Sequence, residues 1–205
     1  MKVIAINGSP RKNGNTATVL QLMTGELEKE GIAVGTIHAG KEKIRGCISC
    51  WHCIEAGECV FKDDIVNESV AKIADADGFI IASPTYFGGI AGTMKAFLDR
   101  TFFSGRRKLR YKVGTTLAVV RRTGGQDVQH QLMNYLMLAE TIVPPAQYWT
   151  VVHGANPGEA LQDGEGIQTM KRNAQAMAWL MKVMAAGTNI PRPADEDKIM
   201  TNFIR

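Results

Sequence analysis

The 205-residue sequence has no long uninterrupted apolar run. A membrane-spanning helix needs about 20 consecutive apolar residues, and no window approaches that length. The N-terminal segment MKVIAINGSP enters a strand-like run directly and contains no signal-peptide core. We therefore expect a cytoplasmic protein without a membrane partner.

Cysteine is missing from the chain outside one short segment. All four cysteines fall between Cys47 and Cys59. In a chain without a secretory signal, this clustering argues against a scaffold of structural disulfides. It indicates ligand or redox chemistry instead.

The chain also lacks a strong charge of either sign, since its formal net charge is +4. The densest basic run comprises Arg106, Arg107, Lys108, Arg110 and Lys112. Such a run could attract nucleic acid or the 2'-phosphate of NADPH. Because no aromatic platform or helix-turn-helix pattern accompanies it, we interpret it as a solvated loop and expect no nucleic-acid partner.

What the sequence does contain is an alternation of short apolar runs with longer amphipathic segments. The pattern predicts strands over 3–6, 32–37, 79–82, 113–120 and 148–152, and helices over 16–30, 64–74, 93–103, 128–140 and 166–184. Five βα units of this kind predict an α/β fold with a parallel sheet covered by helices on both faces. We expect one domain over 1–190, with a cysteine-rich insertion at 45–62, and a C-terminal tail over 191–205 available as an arm for a partner.

The loop from Gly8 to Thr16 follows the first strand and opens the first helix. Ligands of open parallel sheets bind beyond the carboxyl ends of the strands, and a helix N-terminus with nearby glycines favours an anion. Asn15 stands where a nucleoside triphosphate loop needs lysine, and the glycine spacing does not fit a dinucleotide fingerprint. A polar connection that only caps the helix remains the structural alternative.

The loop sequence GSPRKNGNT resembles the FMN-phosphate loop of the NADPH-dependent FMN reductase family. That family has a flavodoxin-like fold, a three-layer sandwich with a five-stranded parallel sheet of order 2-1-3-4-5. The resemblance implies FMN as the cofactor. The residues it assigns to the phosphate are Ser9, Arg11, Gly14, Asn15 and Thr16.

A second loop, SPTYFGG at 83–89, ends the third strand. It is similar to the family segment that lies against the isoalloxazine ring, which implies ring contacts for Pro84, Thr85, Tyr86, Phe87 and Gly88. Alternatively, the two aromatic side chains simply cover the top of the core.

A third loop after the fourth strand, at 121–126, offers two cations and two glycines. A cation or amide at the pyrimidine edge of a flavin stabilises the anionic reduced ring. We expect flavin contacts from Arg122, Thr123 and Gly124. Arg121 and Arg122 could equally bind NADPH phosphate or face solvent.

The cysteines follow the pattern Cys47-x2-Cys50-x2-Cys53-x5-Cys59. Four soft ligands suit a [4Fe-4S] cluster or zinc, and zinc more often pairs two separated C-x2-C knuckles. Free thiols or a redox dithiol are the third possibility. The spacing resembles the compact motif of the iron-sulfur flavoproteins, a branch of the same superfamily, and implies a cluster.

The sequence therefore predicts an FMN-dependent oxidoreductase that accepts electrons from NAD(P)H or ferredoxin and needs no catalytic side-chain acid or base. The alternatives are a flavodoxin-like electron carrier, against which the mildly basic charge argues, and a metal-binding or thiol-sensing module. The resemblance also implies a homo-oligomer, a dimer or tetramer with flavin sites at subunit contacts. Small-molecule donors and acceptors are the other expected partners.

Overall fold

A computed structural model describes residues 1–197, 199–201 and 203 of the chain. The end of the predicted tail, including Ile204 and Arg205, lies outside the described residues. None of the helices in the described part is both long and apolar enough to cross a bilayer.

Five parallel strands form the central sheet in the order β2-β1-β3-β5-β6, and β4 pairs antiparallel with the end of β3. The predicted fold and strand order are therefore confirmed, because the two-residue β4 alone shifts the numbering. The strands are β1 (Lys2–Asn7), β2 (Ala33–Ile37), β3 (Gly78–Tyr86), β4 (Gly89–Ile90), β5 (Val113–Val120) and β6 (Val151–His153).

Helices cover both faces of the sheet. They are α1 (Asn15–Lys29), α2 (His52–Ala56), α3 (Val66–Ala74), α4 (Gly92–Leu109), α5 (Gly125–Leu138) and α6 (Gly164–Ala186), with short 3-10 turns at Ala39–Lys41 and Glu159–Gln162. Alternate side chains of one strand enter opposite cores. In β1, Val3 and Ala5 face α1 and α6, whereas Ile4 and Ile6 face α3, α4 and α5.

The first helix ends just before Gly31. Gly31 has a left-handed φ of +77°, its N–H donates to Glu28 O, and the N–H of Ile32 donates to Leu27 O. These two bonds form a Schellman motif, which glycine adopts without the steric cost of a Cβ. The chain can then turn directly into β2.

The basic run was predicted wrongly as a loop. Arg106, Arg107 and Lys108 lie in the last turn of α4, where cations interact favourably with the negative end of the helix dipole. Arg110 pairs with Glu140, and the half-buried Lys112 donates to Ala74 O and Ala76 O. These residues belong to the scaffold.

Two strand predictions also need correction. The third strand does not break at Ser83 but continues to Tyr86, because Pro84 lies beyond the last residue that pairs with β1 and still aligns with Val119 of β5. The last strand begins only at Val151, since the N–H of Val151 donates locally to Trp149 O and turns the backbone there. The short α2 and β4 were not predicted.

Candidate functional site

Three loops meet at the carboxyl edge of the sheet, where they follow β1, β3 and β5. The N–H of Gly8 donates to Ala82 O over 2.8 Å, which ties the first loop to β3. A Cβ built on Gly124 would lie 3.0 Å from the Cα of Gly88, so the second and third loops are in close contact. The structure therefore brings the three predicted binding loops together.

The first loop is held in shape by its own hydrogen bonds. The N–H of Ser9 donates to Asn7 Oδ1 over 2.9 Å, and the N–H of Arg11 donates to Ser9 Oγ over 3.2 Å. His38 Nε2 lies 2.7 Å from Ser9 O, and Gly40 packs against the backbone of Gly8. This preorganisation means that a ligand need not pay to order the loop.

The N-terminus of α1 is left open for an anion. Gly14 caps the helix in an extended conformation without a side-chain hydrogen bond, and the first turn contains no acidic residue. The first amides of any helix lack intrahelical partners, so those of Asn15, Thr16 and Ala17 are available. Arg11 is exposed beside them, while Ser9, Asn15 and Thr16 are buried.

The carboxamide of Asn15 serves a structural purpose that was not predicted. Its Nδ2 donates to Asn156 O over 2.9 Å, and its Oδ1 accepts from the N–H of Gly158 over 2.9 Å and of Ala160 over 3.4 Å. The side chain thus fastens the first loop to the connection after β6. A phosphate contact by Asn15 stays a prediction, and it would come most directly from the backbone N–H.

The second loop is a tight hairpin between β3 and β4. Phe87 and Gly88 both have positive φ values, +51° and +70°, which is the type I' geometry of two-residue hairpins. Gln131 holds the turn by accepting from Ile90 N–H and donating to Gly88 O, each over 3.3 Å. Phe87 projects entirely into solvent, so it does not cover the core.

Two polar features of this edge point to a ligand. Thr85 Oγ1 is buried and has no hydrogen-bond partner in the described part of the chain, and such orphaned groups are uncommon without a ligand or water. Gly124, with φ of +84°, begins α5 without a side-chain cap. Arg121, Arg122 and Thr123 are exposed next to that helix end, in reach of solvent or a bound molecule.

The four cysteines line one cavity against α4. They are Cys47, Cys50, Cys53 and Cys59. The rest of the wall consists of two polar residues, Arg100 and Ser104, and of apolar residues, namely Ile48, Trp51, Val60, Phe61 and Phe103. Trp51 packs edge-on against Phe103 with ring centroids 5.7 Å apart, and α2 begins at His52. Ser49 and Trp51 adopt left-handed φ values of +55° and +60°. Backbone strain of this kind is typical of ligand-binding loops.

The thiols of this cavity are affected by burial and by one another. Burial raises the pKa of the Cys53 thiol, and the charges of Cys59, Cys47 and Cys50 raise it further. Among the described residues, no three His, Cys, Asp or Glu side chains are grouped so as to hold a metal ion. A [4Fe-4S] cluster or a zinc ion at Cys47, Cys50, Cys53 and Cys59 therefore stays a prediction from the sequence.

Several supporting residues were missed because their importance is visible only in three dimensions. His38, Gly40 and Gln131 support the loops from distant parts of the chain, and Arg100 enters the cysteine cavity from α4. The turn-rich connection after β6 is fastened to Asn15 through Asn156, Gly158 and Ala160. No local motif marks any of these roles.

Comparisons with known proteins identify the family of this chain. The family model of NADPH-dependent FMN reductases matches residues 1–156. An iron-sulfur flavoprotein of Methanocaldococcus jannaschii is 35% identical over 192 residues, covering 90% of this chain and 99% of the relative. One of Archaeoglobus fulgidus is 33% identical over 198 residues, covering 96% of this chain and 86% of the relative.

Solved structures show the same fold. RosB with bound 8-demethyl-8-formylriboflavin-5'-phosphate has a TM-score of 0.72 at 17% identity, over 100% of this chain and 92% of RosB. The chain therefore belongs to the NADPH-dependent FMN reductase family, in which it groups with the iron-sulfur flavoproteins, and it is an FMN-dependent oxidoreductase with a flavodoxin-like fold.

Proposed function

We propose that this oxidoreductase takes electrons from NAD(P)H or reduced ferredoxin onto FMN at the three loops, and exchanges them with an acceptor through a [4Fe-4S] cluster. The ligands of the cluster would be Cys47, Cys50, Cys53 and Cys59. The observation that carries the proposal is an uncapped helix N-terminus at the sheet edge in the same chain as a cavity lined by four cysteines. When bound, FMN supplies two-electron and one-electron chemistry, and the cluster supplies one-electron transfer.

The first loop would hold the FMN phosphate. The open amides of α1 and the positive end of its dipole favour a dianion. Arg11 adds a charge-assisted hydrogen bond, while Ser9 and Thr16 offer hydroxyl donors. Gly14 contributes by leaving the helix end free of a side-chain cap.

The second and third loops would hold the isoalloxazine ring. Pro84, Tyr86 and Phe87 offer flat or apolar surface, and Thr85 Oγ1 would gain the hydrogen-bond partner that it lacks. On the opposite side, Thr123 and Gly124 lead into the N-terminus of α5, which has no side-chain cap and carries Asp127 in its first turn.

The protein's contribution would be to orient the ring and adjust its reduction potential. Arg122 and the amide dipoles at the start of α5 would favour the anionic reduced form, because positive charge near the ring lowers its free energy. Arg121 and Arg122 could also meet the phosphates of a nicotinamide donor. No side-chain acid or base is required for these roles.

One rigid helix connects the flavin edge with the cysteine cavity. The α4 helix begins at Gly92, immediately after the β3–β4 hairpin, and carries Arg100, Phe103 and Ser104 into the wall of the cavity. With a rise of about 1.5 Å per residue, Arg100 lies about 12 Å along the helix from Gly92. The two proposed cofactor sites therefore share a structural element.

Anaerobic purification tests the proposal directly. We expect bound FMN in the absorbance spectrum and about four iron and four sulfide per chain, as a [4Fe-4S] centre requires. NADPH, NADH and reduced ferredoxin are then offered separately, and rapid bleaching of the flavin identifies the donor. A chain without flavin would refute the assignment as a whole, whereas zinc in place of iron would refute its cluster part.

Two variants in the same loop separate the cofactors. Cys50→Ala should abolish iron and sulfide while FMN stays bound, because Cys50 lies in the cysteine cavity and not at the sheet edge. Ser49→Ala is the matched control, since its contact with Cys47 Sγ comes from the backbone N–H over 3.4 Å, and it should retain both cofactors. Retention of the full cluster in Cys50→Ala would contradict the ligand assignment.

We also propose that the chain forms a dimer or tetramer. Exposed large apolar side chains support this proposal, since such residues often mark interfaces. They include Phe87, Met137, Leu138 and Trp179. Light scattering coupled to gel filtration should give a mass of two or four chains. A monomer at micromolar concentration would overturn this part.

A further inference from the structure

Among the described residues, Arg100 is the most deeply buried charged side chain. It is 2% exposed, and its partner Asp64 has a side chain that is 6% exposed. Burying a guanidinium is costly unless each of its donors finds an acceptor. The contacts of Arg100 therefore show what the charge is used for.

The guanidinium of Arg100 donates hydrogen bonds to both a carboxylate and a cysteine sulfur. Its Nη1 and Nη2 donate to the carboxylate of Asp64, and Nη1 also donates to Arg45 O over 3.3 Å. Its Nε donates to Cys59 Sγ over 3.2 Å. The Nε–H of the guanidinium therefore donates to the sulfur of a proposed cluster ligand.

Cys59 is also fixed through its backbone. Its N–H donates to Asn67 Oδ1 over 2.8 Å, and Asn67 Nδ2 donates to Cys59 O over 3.0 Å. Cys59 is buried, whereas Cys47 and Cys50 are exposed. Among the four thiols, this one is held in place on both its backbone and its sulfur.

We propose that Arg100 is a positioning residue that orients the Cys59 thiolate and, through the Nε–H···Sγ hydrogen bond and its charge, raises the reduction potential of the cluster. This inference rests on the proposed function, because it requires a cluster at the four cysteines. Asp64 orients the guanidinium and offsets part of its positive charge.

The direction of the effect follows from charge. A cluster that accepts one electron becomes more negative, so a nearby cation and a hydrogen bond to sulfur stabilise the reduced form more than the oxidised form. Removal of the Arg100 charge should make reduction harder. Removal of the Asp64 charge should make it easier, because the cation is then less compensated.

The test is a redox titration of the cluster in the full, anaerobically purified protein, followed by electron paramagnetic resonance. In Arg100→Gln we expect the one-electron reduction equilibrium to move about tenfold toward the oxidised form, a shift of about 59 mV to more negative potential. Asp64→Asn should shift the potential in the opposite direction, and Arg100→Lys should lie between Arg100→Gln and wild type.

Two controls distinguish a change in the reduction potential of the cluster from a loss of the cluster site. Arg107→Gln removes one positive charge from an exposed position of α4 outside the cavity wall, and it should leave the potential almost unchanged because solvent screens that charge. The FMN potential should also stay at its wild-type value in every variant. A purely structural role would lower the cluster content of both charge variants but would not move their potentials in opposite directions.

The outcomes are distinguishable. Intact clusters with unchanged potentials in Arg100→Gln and Asp64→Asn would overturn the inference and leave the proposed function standing. If Arg100→Gln loses its cluster, the reduction potentials of Arg100→Lys and Asp64→Asn test the inference. It stands only if the potential becomes more negative in Arg100→Lys and more positive in Asp64→Asn. Wild-type protein without iron and sulfide would refute the cluster part of the proposed function, and this inference with it.

Discussion

Gly8→Ala should weaken FMN binding more than it weakens the fold. A Cβ at residue 8 would lie 2.5 Å from Met94 Cγ and 2.7 Å from Ala82 O. Rotation of the Met94 side chain moves its Cγ but not its Cβ, which would lie 2.8 Å away, and the carbonyl of Ala82 belongs to the central strand β3. The loop after β1 must therefore move.

The size of that movement sets the expected loss. Ordinary contact begins near 3.4 Å, so residue 8 must retreat about 0.7 Å from Ala82 O, and its hydrogen bond to that oxygen lengthens. Overpacking of this kind costs about 1–3 kcal/mol. If the displaced loop must return to bind phosphate, the Kd for FMN rises about 5- to 150-fold, since 1.4 kcal/mol corresponds to a factor of ten.

The assay is a titration of apo-protein with FMN, together with denaturant unfolding of the apo-protein. Gly25→Ala is the matched control, because its Cβ would meet nothing within 4 Å in the middle of α1, and it should add about 0.5–1 kcal/mol of stability without changing the Kd. Gly40→Ala should reproduce the Gly8→Ala defect, since its Cβ would overlap the Gly8 backbone. Wild-type affinity in Gly8→Ala would refute the position assigned to the phosphate.

Two further predictions concern strain and pH. Phe87→Gly should raise the unfolding free energy of the apo-protein by roughly 0.5–1 kcal/mol, because a left-handed φ strains phenylalanine, and should still weaken FMN binding. Phe87→Ala keeps the strain and serves as its control, and equal stability of the two variants would count against stored strain. Burial would raise the pKa of the Asp163 carboxyl, but donors from Gly166 and His153 hold it below its usual value. This stabilisation is complete above the unfolded pKa of about 3.9 and is lost as pH falls through the folded pKa. Asp163→Ala should therefore cost about 1–2 kcal/mol at pH 7, and a loss of equal size at pH 3 in denaturant unfolding would be inconsistent with this linkage.

The sequence was sufficient for the fold because its local signals agreed with one another. The apolar run Val3–Ile6 could be buried on both faces only in a covered parallel sheet, and Gly31 ended α1 where the helical pattern ended. Both signals depend on neighbours in the chain. The same holds for the three loops, since the carboxyl ends of parallel strands necessarily meet at one edge.

Prediction failed where a distant contact decides the local conformation. The low propensity of proline for strands suggested that β3 would end before Pro84. However, β5 continues to pair with β3 up to Pro84 after the pairing with β1 has ended. The commitment of Asn15 to the loop after β6, and of Arg100 to Cys59, likewise depends on residues far away in sequence. A single sequence contains no signal for such pairs.

The cysteine segment shows how these distant contacts combine. Immediately before it, His38 and Gly40 support the loop after β1 at Ser9 and Gly8. Toward its end, Cys59 Sγ accepts a hydrogen bond from Arg100 on α4, the helix that follows the β3–β4 hairpin. Because both ends are fastened to elements of the carboxyl edge, the insertion is accommodated without disturbing the order of the sheet.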